Sequence, residues 1–143
     1  MTAPTGTGPI IQALVQTLRG STPLKAAVSG FWEGMAPRGA TRPFVIYQVA
    51  YAPMFYDWTG VILTAGIDVF VIAENSVDAR NIDGLVSQAL HNAALNVSGQ
   101  STLICRRTAD VVIPPDLDGE GKKIYQVGGT YEIWTAQSLA SGG

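Results

Sequence analysis

The chain is poor in the residues from which cross-links and active sites are usually made. Of its 143 residues one is cysteine and one is histidine. A lone cysteine, Cys105, excludes an internal disulfide and fits a reducing compartment. His91, with no second histidine or neighbouring cysteine, gives no metal-ligand pattern, so no metal or other cofactor is expected. Charge is scarce as well: Asp, Glu, Lys and Arg make up 14% of the chain, against about a quarter in ordinary soluble domains. The formal net charge is -2. Basic residues are scattered apart from Arg106-Arg107 and Lys122-Lys123, which argues against a nucleic-acid binder held by phosphate contacts. No apolar run approaches the ~20 residues that span a bilayer. The opening Met1-Thr-Ala-Pro-Thr-Gly-Thr-Gly8 has neither the cationic start nor the apolar centre of a signal peptide. Together these absences read as a soluble, cytosolic protein with no membrane partner.

What is present is apolar, at 47% of residues. The length fits one domain over residues 1–143, able to bury roughly 68–70% of its unfolded surface. Few charges remain to cover the rest, which hints that another subunit covers part of it; an uncharged surface of Ser, Thr, Gly and Gln is the plainer alternative. Residues 1–8 read as a flexible lead-in and residues 136–143 as a polar tail. Pro9 suits a first helical turn, and Ile10, Ile11, Leu14, Val15 and Leu18 follow at helical spacing until Gly20. Thr22-Pro23 starts a second, short helix that Gly30 ends. Residues 31–42 are Gly/Pro-punctuated loop.

Phe44 to Tyr51 is rich in β-branched and aromatic residues and predicts a strand. After a connection, Val61 to Ile72 predicts a second one, with Val61, Leu63, Ala65, Ile67, Val69 and Val71 on a core face. A helix capped by Ser76 runs to about Leu95, and close packing on the sheet would explain Gly84 within it. Two more strands, about Thr102–Ile113 and Lys123–Thr135, are joined by the loop from Pro114 to Gly121. Gly128-Gly129 within the last strand predicts a bulge or a close backbone approach. The expected fold is therefore α+β and two-layered, in the order α-α-β-β-α-β-β. Its sheet is four-stranded and mostly antiparallel, made of two hairpins, with helices packed on it.

No catalytic constellation appears. Asp116-Leu-Asp-Gly-Glu120 superficially resembles a calcium loop, but its glycine falls too early and Val127 occupies the closing ligand position, leaving a solvated turn. A cysteine–histidine pair of Cys105 with His91 fits no elbow or oxyanion loop and is kept only as a remote enzymatic alternative. Gly6-Thr-Gly8 lacks the preceding strand that a phosphate turn needs. Arg106 and Arg107 point to opposite faces of a strand and form no patch.

Two apolar features are harder to place. Met54, Phe55, Tyr56 and Trp58 lie in a connecting segment; they form either an internal plug or anchors for a neighbouring chain. The second face of the sheet would carry Ile46, Ile62, Phe70 and Trp134. Burying each is worth roughly 1.5–3 kcal/mol, so either the N-terminal helices or another subunit should cover them.

The order of these cues resembles the tail completion (tail terminator) proteins of long-tailed, siphovirus-like bacteriophages. The resemblance runs from the first helix through Ala36-Pro-Arg-Gly39 and Arg42-Pro43-Phe44-Val-Ile-Tyr-Gln-Val49. It continues with Ile67-Asp-Val-Phe-Val-Ile72 and Ser76-Val-Asp-Ala-Arg80, and closes with Asp118-Gly119 and Tyr131-Glu-Ile-Trp134. It covers roughly residues 9–135. It implies a non-enzymatic virion protein, assembled in the bacterial host cytoplasm, that closes into a homo-oligomeric ring, typically a hexamer. Such a ring caps the head-proximal end of the tail tube, stops polymerisation and forms the joint to the head. Its implied partners are the tail tube protein and a head-closure or neck protein, with genomic DNA passing through the lumen unbound. A neck connector or the tube protein itself are the alternative structural roles. On this resemblance Met54, Phe55, Tyr56, Trp58, Ile46, Ile62, Phe70 and Trp134 are expected at the subunit interface, and Asp116, Asp118 and Glu120 along the lumen.

Overall fold

The computed structural model describes residues 6–57 and 59–138. Helices α1 (Gly8–Arg19) and α2 (Thr22–Ala27) come first. Pro9 occupies the first turn of α1, and Ile10, Ala13, Leu14, Val15 and Leu18 are its buried side. The short strand β1 (Phe31–Glu33) follows, then β2 (Phe44–Tyr51), the equally short β3 (Met54–Tyr56) and the long β4 (Gly60–Ala73). Helix α3 (Ser76–Leu90) leads to the hairpin of β5 (Ser101–Leu117) and β6 (Lys123–Ser138).

The fold is α+β as expected, but the sheet has six strands rather than four. The four long strands fall where the pattern places them. The additions, β1 and β3, lie in segments read as loops. The order across the sheet is β1-β2-β4-β6-β5, with β3 also paired to β4. β1 pairs with β2 in parallel and every other pairing is antiparallel. β4 is the spine: β6 runs along it from Gly60↔Ser138 to Ala73↔Tyr125, while β2 and β3 share its other side. β6 thus takes in Ala136 and Ser138, which were expected in the tail.

Val61, Leu63, Ala65, Ile67, Val69 and Val71 are all buried, as their alternation predicts. They join one cluster with the inner sides of α1, α2 and α3, together with Val45, Tyr47, Cys105, Tyr131 and Ile133. All three helices therefore lie on the same face of the sheet. α3 is capped by Asn75 rather than Ser76: the Asn75 side chain accepts from the Asp78 N–H at 2.8 Å and its amide donates to the Asp78 carboxylate at 2.7 Å. The helix ends at Leu90, short of Leu95, and Asn92 turns into the left-handed region at φ 60°. Gly84 is exposed, with open space where a side chain would project, so close packing does not account for it.

Gly128 shows the close approach expected of the glycine pair. A Cβ there would sit 2.1 Å from the Val69 carbonyl oxygen. The bulges lie instead in β5, at Thr102/Ile104, Arg107/Ala109 and Ile113/Asp116, and in β2, at Val49/Tyr51. β5 also runs on through Pro114 and Pro115, which this edge strand tolerates because they fall in the Ile113/Asp116 register shift, where the ladder is interrupted and their missing N–H groups break no bond.

One polar cluster ties α3 to the sheet. The Arg107 guanidinium donates to both Asp83 carboxylate oxygens at 2.9 Å, to the Tyr131 hydroxyl at 3.0 Å, to the Gly128 carbonyl at 2.8 Å and to Asp110 at 2.8 Å. It also lies 5.7 Å from the centre of the Tyr131 ring. Bonding to Asp83 raises its pKa, and burial raises that of Tyr131.

Candidate functional site

With the helices on one face, the opposite face of the sheet is left to β-strand side chains and loops. Its two ends differ. At one end, residues 34–40 fold across the strands and enclose a groove with Phe44, Ile46 and Ile72. Trp32 adds an edge-on contact to Phe44, ring centres 5.5 Å apart. Ile46, expected beneath the N-terminal helices or at a subunit interface, is only 8% exposed under this loop. Phe70, its cross-strand partner, is half-buried. Within the chain it is this loop, and not an N-terminal helix, that covers that end.

The other end is open. Phe55 lies directly across from Ile62, and Ile62 from Ala136, while Trp134 is flanked by Thr64 and Ile104. Phe55 is 64% exposed, Tyr56 62%, and Ile62 and Trp134 38% each. Met54 is half-buried and packs on the core. The aromatic segment is thus not an internal plug: Met54, Phe55 and Tyr56 form β3, which sets Phe55 beside Ile62 on the helix-free face and Tyr56, paired with Val61 and also exposed, on the other. Trp58 lies outside the described residues. The turn beside it is closed by Asp57, whose carboxylate accepts from the Thr59 N–H at 2.8 Å, the Thr59 hydroxyl at 3.0 Å and the Gly60 N–H at 2.8 Å. These bonds, led by that from the Thr59 backbone, lower the Asp57 pKa.

Tyr51 and Glu132 complete this end. The Tyr51 ring lies over Gly66, where a Cβ would come 2.2 Å from the ring. Its hydroxyl donates to Glu132 at 2.8 Å, and the Trp134 indole N–H donates to the same carboxylate at 2.6 Å. The bond to Glu132 is the first cause of the raised Tyr51 pKa. The two aromatics are thereby fixed, half in solvent, beside Phe55 and Ile62. Gly66 in mid-strand was the available signal for Tyr51.

The three acids of the β5–β6 turn have separate situations. Asp118 accepts from the Lys122 and Glu120 N–H groups at 2.9 and 2.8 Å and from Arg42 at 2.7 Å. These bonds, the backbone one from Lys122 foremost, lower its pKa. Arg42 also reaches Glu74 at 3.1 Å, so the turn is pinned to the end of β4. Asp116, near the end of β5, accepts from the adjacent Leu117 N–H at 2.8 Å, and both Asp116 and Glu120 are exposed.

Cys105 and His91 sit close in the fold but do not interact as nucleophile and base. The thiol is buried, donates to the Leu90 carbonyl at 3.1 Å and has its pKa pushed up to about 11 by burial. The His91 Nδ1 accepts from the Arg107 backbone N–H at 3.2 Å. A thiol so placed is protonated at neutral pH and is a poor nucleophile.

The geometry defines a small α+β protein with one helix-covered sheet face and one face open over an apolar, aromatic end. The model of the family described as tail completion protein gp17 matches residues 12–135, and the chain belongs to that family. It is accordingly a structural protein of the phage tail and a component of the virion. A solved chain from the virion of a native gene transfer agent particle has the same fold, with a TM-score of 0.72 and 16% identity. That alignment covers 94% of this chain and 99% of the other. A second solved structure aligns over 96% of this chain and 100% of its own, at a TM-score of 0.56 and 14% identity. No curated protein sequence matches the chain.

Proposed function

We propose that the protein is a tail terminator: identical copies close into a ring, typically six, on the head-proximal end of the tail tube. The ring stops tube growth and offers the joint to the head or neck. The carrying observation is the open end of the sheet, where Phe55, Ile62 and Trp134 stand exposed on the helix-free face with no described element over them, and Tyr56 stands exposed on the other side of β3. Apolar patches of this kind mark contact surfaces, and held aromatics make effective anchors at little cost in side-chain entropy. A contact repeated around an axis must close on itself, or a filament results. We assign Phe55, Ile62 and Trp134, together with Met54, Tyr56 and Trp58 of the same segment of sequence, to the contact between copies. Ile46 and Phe70 support that surface from beneath the loop of residues 34–40.

Asp116 and Glu120 are the acids free to face a lumen, and an acidic wall would not hold DNA phosphates. Asp118 belongs to the fold of the turn. The single buried cluster supports treating residues 1–143 as one domain. The role requires no reaction, which agrees with a Cys105 thiol turned into the core.

The test pairs solution mass with tail length. The unaltered protein should sediment as a closed ring alone or on isolated tail tubes, and Phe55→Asp should sediment as a folded monomer and leave particles with overlong tails. If Phe55→Asp particles keep normal tails, or the unaltered protein docks on filled heads and not on tubes, the terminator assignment is wrong.

A further inference from the structure

The strand order ends in β1 on one side and β5 on the other, and these two edges are finished differently. β5 carries three register shifts and the pair Pro114-Pro115. Bulges and prolines interrupt the row of free N–H and C=O groups through which an edge strand accepts another strand. β1, at the opposite edge, has neither. Its bonds to β2 are regular: the Gly30 carbonyl accepts from the Val45 N–H at 3.0 Å, and the Gly34 N–H donates to the Tyr47 carbonyl at 2.9 Å. Successive residues of a strand turn their backbone groups to opposite sides. Phe31 and Glu33 therefore direct theirs away from β2, toward a side on which no described strand lies. The Glu33 carbonyl accepts from the Met35 N–H at 2.7 Å. The Phe31 N–H and C=O and the Glu33 N–H are left to a partner.

Beside this edge is a cavity of about 320 Å³ lined by Arg19, Lys25, Val28, Ser29, Phe31 and Trp32. Arg19 ends α1 and Lys25 lies in the last turn of α2, where helix dipoles favour cations. Neither takes part in any of the ion pairs among the described residues. Two unpaired cations thus share one concavity, floored by apolar side chains and bordered by unpaired backbone. Glu33, exposed at the end of β1, supplies one opposing charge.

We propose that this edge binds an extended, acidic polypeptide segment of a partner protein as an added strand, with carboxylates set over Arg19 and Lys25. Main-chain bonds to Phe31 and Glu33 give the register, and the cations select the sequence. Charge complementarity points to a different chain rather than a second copy. Within this chain the acidic stretch Asp116–Glu120 is closed into a turn, and its Asp118 is held by Arg42. The surface is separate from the Phe55–Trp134 end, so its occupancy does not depend on ring closure.

The probe is a labelled peptide of alternating Thr and Glu, about eight residues long to match a short edge strand, with a Thr–Lys peptide as control. The Thr–Glu peptide should bind and the Thr–Lys peptide should not. Arg19→Glu with Lys25→Glu, checked for unchanged melting, should weaken binding at least about tenfold, the worth of two exposed charge contacts. Amide exchange should slow at Phe31 and Glu33 on binding. Glu33→Pro, which removes an N–H from the open side while leaving the pairing with β2 intact, should weaken binding relative to Glu33→Ala. Equal binding of the two peptides, undiminished binding by the charge-reversed protein, or exchange protection elsewhere in the sheet would overturn the proposal.

Discussion

At the residue scale, glycines separate what the fold requires from what it merely contains. Gly128 cannot carry a side chain, because a Cβ would stand 2.1 Å from the Val69 carbonyl oxygen on the neighbouring strand. Gly84, in the exposed middle of α3, meets nothing. Gly84→Ala should raise unfolding stability by about 1 kcal/mol, the difference in helix propensity. Gly128→Ala should lower it by several times as much by forcing β4 and β6 apart; urea denaturation of the two variants checks both signs. Asp118 gives a pH signature. Its folded pKa lies below that of an unfolded aspartate, near 3.9, so its ionised form stabilises the fold. That contribution is fully present above the unfolded value and is lost as pH falls through the folded one. Asp118→Asn should therefore melt below the parent protein at neutral pH, and the gap should close as pH falls below about 4 and through the folded pKa. A gap constant across that window would remove the carboxylate from the account.

At the scale of elements, legibility follows length. β4 could be read residue by residue because fourteen positions give its alternation room to declare itself, and its odd-numbered side is buried throughout. β1 and β3 have three residues each, too few for any period, and lie between Gly30 and Gly34 or after Pro53. Pairing with a long neighbour makes them strands, and that information is not local. Pro114-Pro115 was misread as the start of a turn for a related reason: prolines end a central strand but not an edge strand, and edge position is a tertiary fact. The Arg107 cluster was equally invisible, since Asp83, Arg107, Gly128 and Tyr131 meet only after α3 is laid on the β5–β6 hairpin. Both charges of its main pair are about 15% exposed. Removing Asp83 leaves the largely dry Arg107 with only the exposed Asp110 as counter-charge, so Asp83→Asn should cost roughly 2–4 kcal/mol. Hydrogen exchange of α3 and β5 amides should accelerate together, whereas loss of a mere surface pair would leave them unchanged.

At the scale of the whole molecule, the helix-free face of the sheet divides folding from assembly. The alternation placed Ile46 and Ile62 on that face correctly, but it could not show that residues 34–40 return to cover one and leave the other. A loop with no periodicity gives no sign of where it will lie. Ile46 is 8% exposed under that loop and Ile62 is 38% exposed beside Phe55. Ile46→Ala empties a packed site and should destabilise the monomer by roughly 2–5 kcal/mol. Ile62→Ser removes a half-open side chain on a strand whose other face holds the core, and its cost to the monomer should be about 1 kcal/mol or less. If copies meet at the open end, the order reverses in an assembly assay. Ile62→Ser should abolish the ring while melting almost as the parent does, and Ile46→Ala, at a temperature where it remains folded, should still form one. Sedimentation and thermal unfolding of the same two samples decide the matter. An Ile62→Ser protein that assembles normally would place the contact between copies elsewhere, on the sheet edges or the helical face.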